Sequence, residues 1–130
     1  MKRRTLLLAA LICSGLLAQE GHPLKGTWHG TWGVSETERT QVTLVMNWDG
    51  KNVSGIMNPG LRSSPLENLS FDPAAGWKFH FESNYKDRSG AVSHVVIDAK
   101  IVDVTSPRRQ LVGTWTDGKA KGDFKAARDN

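Results

Sequence analysis

Two histidines and two carboxylates lie at a spacing that could bind a metal ion. His80 and Glu82 are two residues apart in a segment of alternating polar and apolar residues, and His94 and Asp98 lie in the next such segment. If the turn at 86–90 places residue 80 opposite residue 96, Glu82 faces His94, and imidazole and carboxylate groups can hold zinc. The same groups would otherwise form a solvent-facing cross-strand pair, which contributes roughly a few tenths of a kcal/mol. We favour the surface pair, so we expect no metal and no other cofactor.

The residues that supply nucleophilic catalysis do not form a recognisable set. Ser54, in "NVSGI", lacks the first glycine of the Gly-x-Ser-x-Gly pattern. The single cysteine, Cys13, lies in an apolar N-terminal run rather than in the body of the chain. The glycine-rich stretch "GTWHGTWG" has no Lys-Ser/Thr pair, so it does not fit a phosphate-binding loop. We expect that the protein is not an enzyme.

The first 18 residues have the composition of a signal peptide. Basic residues at positions 2–4 precede an apolar run from Leu6 to Leu17, which Ala18 ends. The run is shorter than the roughly 20 residues that cross a bilayer, and no later segment is as apolar, so we expect no membrane span. The sequence therefore predicts export to the periplasm or the medium, with a mature chain that begins at residue 19.

The signal peptide accounts for most of the net positive charge. The chain has 17 Lys and Arg residues against 13 Asp and Glu residues, and three of the basic residues lie at positions 2–4. The mature chain keeps 14 basic and 13 acidic residues. Because a nearly neutral domain lacks the basic surface that nucleic acids bind, we expect no nucleic-acid partner.

Turn-forming residues divide the mature chain into eight short segments. The turns are at 35–38, 48–52, 58–65, 72–76, 86–90, 105–107 and 116–122. The segments between them are rich in Val, Thr, Trp, Phe and Ile, and they alternate apolar and polar residues, which predicts strands. Eight strands joined by tight turns predict an all-β, eight-stranded antiparallel up-and-down β-barrel over residues 25–130. A two-sheet sandwich is the alternative, and residues 19–24 are expected to form a flexible N-terminal segment.

Three Gly-Thr-Trp triplets occur in the first and seventh predicted strands, at 26–28, 30–32 and 113–115. In each strand the glycine and the tryptophan lie on the inward face, and glycine in a strand often marks a bend or a close approach by another group. The first and last strands of a closed meander are neighbours, so we expect the triplets to meet and to close one end of the barrel. The residues predicted to close it are Gly26, Trp28, Gly30, Gly113, Phe124 and Arg128.

These closure residues resemble the signature of the calycin superfamily of β-barrels, which includes lipocalins, fatty-acid-binding proteins and avidins. The resemblance is carried by Gly26 and Trp28, or by Gly30 and Trp32, together with Arg128. It implies a lipocalin-like barrel in which the tryptophan closes one end and the basic side chain packs across its ring as a cation–π pair. The whole chain also resembles a group of small exported bacterial barrel proteins, and that resemblance implies no activity.

A barrel of eight strands is just wide enough to be filled by its own side chains or to hold one small ligand. We expect a monomeric protein that binds a small apolar or aromatic molecule in the barrel interior, at the end opposite the triplets. The alternative is a protein-interaction module with a filled barrel, such as a periplasmic protease inhibitor that inserts an N-terminal tail. The predicted ligand-binding side chains are Trp32, Met46, Trp48, Trp77, Phe79, Phe81, Tyr85 and Trp115.

Overall fold

The structure, a computed structural model, describes residues 22–129. The expected signal peptide at 1–18 and residues 19–21 lie outside the described residues. Within 22–129, no helix has the length and apolar character needed to cross a bilayer. The described chain forms one 3-10 helix, Pro73–Ala75, and the strands β1 (Gly26–Gly33), β2 (Arg39–Trp48), β3 (Val53–Met57), β4 (Ser64–Pro65), β5 (Glu67–Asp72), β6 (Lys78–Lys86), β7 (Val92–Val102), β8 (Gln110–Thr116) and β9 (Lys121–Arg128).

All of these strands belong to one antiparallel sheet that curves into a nearly closed barrel. The order across the sheet is β4-β3-β2-β1-β9-β8-β7-β6-β5, so the first long strand pairs with the last. In this pair the register runs from Trp28 opposite Arg128 to Gly33 opposite Asp123. The prediction of an all-β antiparallel barrel is therefore confirmed, and the pairing of β1 with β9 replaces two exposed sheet edges with hydrogen bonds.

The strand count is nine rather than eight because β4 forms inside a predicted turn. Ser64–Pro65 pair with the last two residues of β3. Pro65 has no backbone N–H and ends this pairing, and the backbone N–H of Leu66 then donates to the carbonyl oxygen of Gly55 over 2.9 Å. From Glu67 onward the chain pairs with β6 instead. Residues 64–72 therefore form the seam of the barrel, with β3 on one side and β6 on the other.

A buried pair of hydroxyl groups holds this seam. The Oγ atoms of Ser64 in β4 and Ser83 in β6 are 2.8 Å apart, and both side chains are buried. The Ser83 hydroxyl also donates to the carbonyl oxygen of Pro65 over 2.8 Å. Leaving such a buried group without its partner costs about 1–3 kcal/mol, so the two bonds fix β4 against β6.

The barrel interior is filled by inward-facing side chains. Along β2, β6 and β7 buried residues alternate with more exposed ones, as the sequence predicts. These inward side chains form the core of the barrel, and protein interiors pack about as densely as organic crystals. The buried apolar residues form one cluster, which consists of Leu24, Trp28, Trp32, Val42, Leu44, Met46, Met57, Leu66, Phe79, Phe81, Val95, Ile97, Ala99, Ile101, Leu111, Trp115, Phe124 and Ala126.

Two of the glycines in the triplets lie where neighbouring strands approach closely. A Cβ atom at Gly30 would come within 2.0 Å of the carbonyl oxygen of Lys125 in β9, and one at Gly113 within 2.0 Å of that of Asp98 in β7. No side chain fits at such distances, so glycine permits the tight coiling of the strands in this narrow barrel. A close approach of this kind is one of the two features, with a bend, that glycine in a strand indicates.

The two ends of the barrel are built from different loops. We call the base the end formed by residues 22–25, 49–52, 73–77 and 103–109, and the mouth the end formed by 34–38, 58–63, 87–91 and 117–120. Because β1 runs from base to mouth, Trp28 and Trp32 lie about 13 Å apart along the strand. Trp32 stacks on Trp115, with ring centroids 5.8 Å apart. The expectation that all three triplets meet at one end is wrong, since the first triplet closes the base and the other two close the mouth.

Candidate functional site

The base is closed by Trp28 and by the chain that precedes β1. The indole of Trp28 is fully buried, and its Nε1 donates to the carbonyl oxygen of Leu24 over 2.8 Å. Leu24 is itself fully buried in the core cluster. The predicted closure residue Trp28 therefore seals the base together with a residue from the segment that was expected to be flexible.

Two arginines tie the loops of the base together through backbone carbonyl groups. Arg128, opposite Trp28, donates from Nη2 to the carbonyl oxygen of Pro107 over 3.1 Å and from Nη1 to that of Lys25 over 3.4 Å. Arg109 donates to the carbonyl oxygens of Val104 and Pro23. The predicted place of Arg128 beside the tryptophan agrees with the structure, whereas its described bonds go to carbonyl oxygens. The expected cation–π contact stays a prediction.

An aromatic group lines the base beside the seam. The ring centroid of His22 lies 4.9 Å from that of Phe71 and 6.1 Å from that of Trp48, and Phe71 lies 6.1 Å from Trp77. The backbone N–H of Leu24 donates to Nδ1 of His22 over 3.1 Å. This bond requires an unprotonated Nδ1, and burial lowers the pKa of His22 below its usual value. Residues 22–24 thus pack against the barrel rather than extend from it.

The histidines and carboxylates of the outer face form a hydrogen-bonded row, the polar ladder, made of Asn68, His80, Glu82, Asn84, His94 and Asp98. His80 lies opposite Asp98, and Asn84 lies opposite His94. The expected register, with residue 80 opposite 96, is therefore displaced by two residues. A shift of two keeps every side chain on the same face, so the predicted group still comes together.

Every ring nitrogen in the polar ladder has a partner. His80 Nδ1 lies 2.6 Å from Asp98 Oδ1, and His80 Nε2 lies 3.0 Å from Glu82 Oε2. His94 Nε2 lies 2.9 Å from Glu82 Oε1, and His94 Nδ1 lies 3.0 Å from Asn84 Oδ1. The bonds to Glu82 and then to Asp98 raise the pKa of His80. The bonds from His80 and then from His94 lower the pKa of Glu82 to about 2.

This geometry suits structural pairing better than metal binding or catalysis. The Glu82 carboxylate lies between the two imidazoles and uses a different oxygen for each. Among residues 22–129, no three His, Cys, Asp or Glu side chains are placed to hold a metal ion. Ser70 lies opposite His80 in the sheet, but His80 Nε2, the atom that would act as a base towards a serine, is bonded to Glu82.

The mouth is closed by a second aromatic group, the mouth aromatics, made of Trp32, Tyr85 and Trp115. Trp32 meets Tyr85 edge to face with centroids 5.0 Å apart and stacks on Trp115 at 5.8 Å. Nε1 of Trp115 donates to the carbonyl oxygen of Gly33 over 3.2 Å. Trp32 and Trp115 are buried, whereas Tyr85 is half-buried. Trp32 and Trp115 form the buried part of the group, and Tyr85 is the member that reaches the surface.

A cleft of about 1080 Å³ opens above the mouth aromatics, and we call it the mouth cleft. One wall is the start of β2 with the loop that follows β3, and the other is the end of β6 with the turn after it. Tyr85 connects the cleft with the aromatic group behind it. The side chains that line the cleft belong to Arg39, Thr40, Gln41, Thr43, Asn58, Pro59, Leu61, Arg62, Tyr85, Lys86, Asp87, Arg88 and Ser89.

The eight predicted ligand-binding residues do not line one interior pocket. Met46, Phe79 and Phe81 lie in the packed core. Trp48 and Trp77 belong to the aromatic group at the base. The remaining three, Trp32, Tyr85 and Trp115, meet at the mouth. Of the other closure residues, Phe124 is buried opposite Trp32 and Gly113, and Gly26 approaches Arg128, since a Cβ there would lie 3.2 Å from Arg128 Cδ.

Comparison with known proteins gives no family to which the chain can be assigned. The chain matches no protein-family model, no curated protein and no solved structure. The barrel is compatible with a calycin-like fold, and the likeness consists of the architecture and the placement of Gly26, Trp28 and Arg128 at the base. Function has to be argued from the chemistry of the site alone.

Proposed function

We propose that this protein is an exported, monomeric binding protein whose ligand is a small molecule with an apolar or aromatic part. The ligand binds in the mouth cleft, and its apolar part packs on Tyr85. The observation that carries the proposal is the cleft of about 1080 Å³ that is lined by Tyr85, the half-buried member of the mouth aromatics. Ligand sites in proteins are concave, of about 300–1,000 Å³, and combine apolar or aromatic surface with a few polar groups.

The packing of the core supports a site at the mouth rather than in the interior of the barrel. The sequence places an apolar guest inside the barrel, but Met46, Phe79 and Phe81 are buried in a continuous cluster there. A guest at the centre would have to displace these side chains, and overpacking a dense core costs about 1–3 kcal/mol for even a few added methylene groups. At the mouth a ligand adds to the existing aromatic surface and displaces only water.

The mouth aromatics are suited to receive a flat ligand because they are already ordered. Trp32 contacts both Tyr85 and Trp115 by its ring, and the Trp115 indole donates to the carbonyl oxygen of Gly33. Aromatic pairs of this geometry contribute about 0.5–1.5 kcal/mol beyond the area they bury. A ligand that packs on Tyr85 therefore immobilises little that is not already immobile, which favours affinity.

The proposal is tested by native mass spectrometry of the protein purified without denaturation from the cell that makes it. We expect an adduct of a few hundred daltons that is retained by the Phe71→Leu variant and lost from Tyr85→Leu. Both variants replace a half-buried ring, one at the base and one at the mouth. A protein mass without adduct, combined with unchanged tryptophan fluorescence when small aromatic molecules are added, would contradict the proposal.

The alternative of a tail-inserting inhibitor has less support. Residues 22–24 of the proposed tail pack against the base, and Leu24 is fully buried. Insertion into a partner would break the bond between Trp28 and Leu24 and would expose the core beneath it. The alternative gains support if the protein carries no adduct and if removal of residues 19–24 abolishes the capture of a protein partner.

A further inference from the structure

We infer that the ligand of the mouth cleft is an anion, with a carboxylate, sulfate or phosphate group that binds between Arg62, Lys86 and Arg88. This inference rests on the proposed function, since it assigns the chemistry of the polar end of the same ligand. It is carried by the balance of charge around the cleft. Four basic side chains and one acidic side chain line it, namely Arg39, Arg62, Lys86, Arg88 and Asp87.

One of the four cations is already neutralised. Arg39 Nη1 lies 2.6 Å from Asp123 Oδ1, and Arg39 Nη2 lies 3.1 Å from Asp123 Oδ2. Arg39 also donates to the side chain and the carbonyl oxygen of Thr31. This bidentate pairing with the Asp123 carboxylate holds the guanidinium on the outer face of β1, β2 and β9. Arg39 therefore forms part of the cleft wall and is not available to a ligand.

The single carboxylate of the cleft is also engaged. Asp87 accepts hydrogen bonds from the backbone N–H groups of Ser89 and Ala91, over 2.8 and 3.1 Å, and from the hydroxyl of Ser89. The hydroxyl of Ser89 and then these backbone groups lower the pKa of Asp87, so the carboxylate is ionised and serves to hold the turn. It does not form an ion pair with any cation in the part of the chain that the structure describes.

The remaining three cations face the cleft without a carboxylate partner. Across residues 22–129, the ion pairs and side-chain hydrogen bonds involve neither Arg62, Lys86 nor Arg88. Arg62 comes from the loop after β3, Lys86 ends β6 and Arg88 lies in the turn after it, so the cations lie on opposite walls of the cleft. Like charges around a concave surface repel each other and focus a positive potential into the cleft. An anion relieves that repulsion and gains charge-assisted hydrogen bonds.

The side chains that line the cleft define the shape of the ligand. Tyr85, Lys86 and Arg88 all line it, although Tyr85 and Lys86, as consecutive residues of β6, point to opposite faces of the strand. A ligand that packs an apolar ring on Tyr85 places a group attached to that ring in the same cleft as the ammonium and guanidinium groups. We expect a compact amphipathic anion, such as an aromatic carboxylate or an aromatic phosphate or sulfate ester.

The test compares two probes that share one ring system and differ in charge, 2-naphthoate and neutral 2-naphthylmethanol. Binding of each is measured by titration calorimetry and by quenching of tryptophan fluorescence, at low salt and with added sodium chloride. We expect the wild-type protein to bind naphthoate about tenfold more tightly than naphthylmethanol. Added salt should weaken the binding of naphthoate only, because it screens charges at the surface.

Two triple variants with the same change in net charge show which cations bind the carboxylate of naphthoate. Arg62→Gln, Lys86→Gln and Arg88→Gln remove the cations of the cleft. Lys51→Gln, Arg108→Gln and Lys125→Gln remove exposed cations that do not line it. We expect the tenfold preference for naphthoate to fall to about one in the first triple variant and to persist in the second.

The possible results separate the two proposals. Equal binding of both probes by the wild-type protein overturns the anion and leaves the proposed function standing. A preference for naphthoate that both triple variants reduce alike also overturns the inference, since it reports net charge only. If neither probe binds, or if Tyr85→Leu binds both as the wild type does, the proposed function fails and the inference fails with it.

Discussion

The base and the mouth of the barrel are closed by the same motif, yet they use their charged residues differently. At each end an indole N–H donates to a backbone carbonyl group, from Trp28 to Leu24 at the base and from Trp115 to Gly33 at the mouth. At the base Arg128 and Arg109 donate to carbonyl groups of the protein itself. Partly buried arginines therefore bind the backbone of the base, whereas at the mouth three cations that line a cleft have no side-chain partner in the described chain.

The largest effect that we expect comes from removing the indole at the base. Trp28→Ala should lower the free energy of unfolding by about 3–5 kcal/mol, because the side chain is fully buried and leaves a cavity. Tyr85→Ala at the mouth should cost about 1–2 kcal/mol, since a half-buried ring loses less apolar contact. Chemical denaturation measures both values. Equal losses in the free energy of unfolding would mean that Tyr85 stabilises the fold as much as Trp28 does, which would contradict the difference between the two ends.

The second effect separates the arginines of the two ends. Arg128→Gln should lower the free energy of unfolding by about 1–2 kcal/mol, because it breaks charge-assisted bonds to Pro107 and Lys25 at a partly exposed site. Arg88→Gln at the mouth should change it by less than about 0.5 kcal/mol, as an exposed side chain without partners. Both variants keep an amide donor. If Arg88→Gln destabilised the protein as much as Arg128→Gln, the cleft cations would have a structural role.

The smallest effect is on the pH dependence of stability, where His22 at the base and His80 in the polar ladder act in opposite directions. The pKa of His22 is lowered in the folded protein, so the unfolded chain binds more protons and stability falls as the pH drops below about 6.5. The pKa of His80 is raised, so its contribution is complete below about 6.5 and is lost as the pH rises through the folded pKa.

Denaturation at several pH values distinguishes these two histidines. His22→Gln should flatten the loss of stability on the acid side, and His80→Gln should flatten the loss on the alkaline side. His29, which bonds to Thr43 and Asp129 on the exposed outer face, offers a control histidine. A stability profile that His22→Gln leaves unchanged would mean that this side chain is not buried at the base in solution.

The all-β architecture and the inward face of each long strand could be predicted from the sequence. In β6 the alternation of Phe79 and Phe81 with His80 and Glu82 assigns each side chain to a face, whatever the neighbouring strand does. The polar ladder came together for the same reason, although its register was displaced by two residues. The short strand β4, which ends at Pro65, could not be predicted, because its formation depends on where β3 stops pairing.

The mouth cleft was missed because its three unpaired cations fall in turns predicted from the sequence. Arg62 is in the turn predicted at 58–65, and Lys86 and Arg88 are in the one predicted at 86–90. Alternate turns of an up-and-down barrel lie at the same end. These two turns follow the third and fifth predicted strands, so the sequence does indicate that the cations lie at one end. What alternation cannot supply is the distance between two turns across the barrel, which depends on how the strands coil.

By itself, the sequence determined that these residues form antiparallel strands with one apolar face each, and it favoured a barrel over a sandwich, because the two-residue period of a strand is a local property. Only the tertiary structure decided that Trp28 closes one end while Trp32 and Trp115 close the other, and that Arg62 faces Lys86 and Arg88 across a cleft. Register, strand coiling and the course of the seam arise from hydrogen bonds between residues distant in the chain. Alternation along one strand does not contain that information.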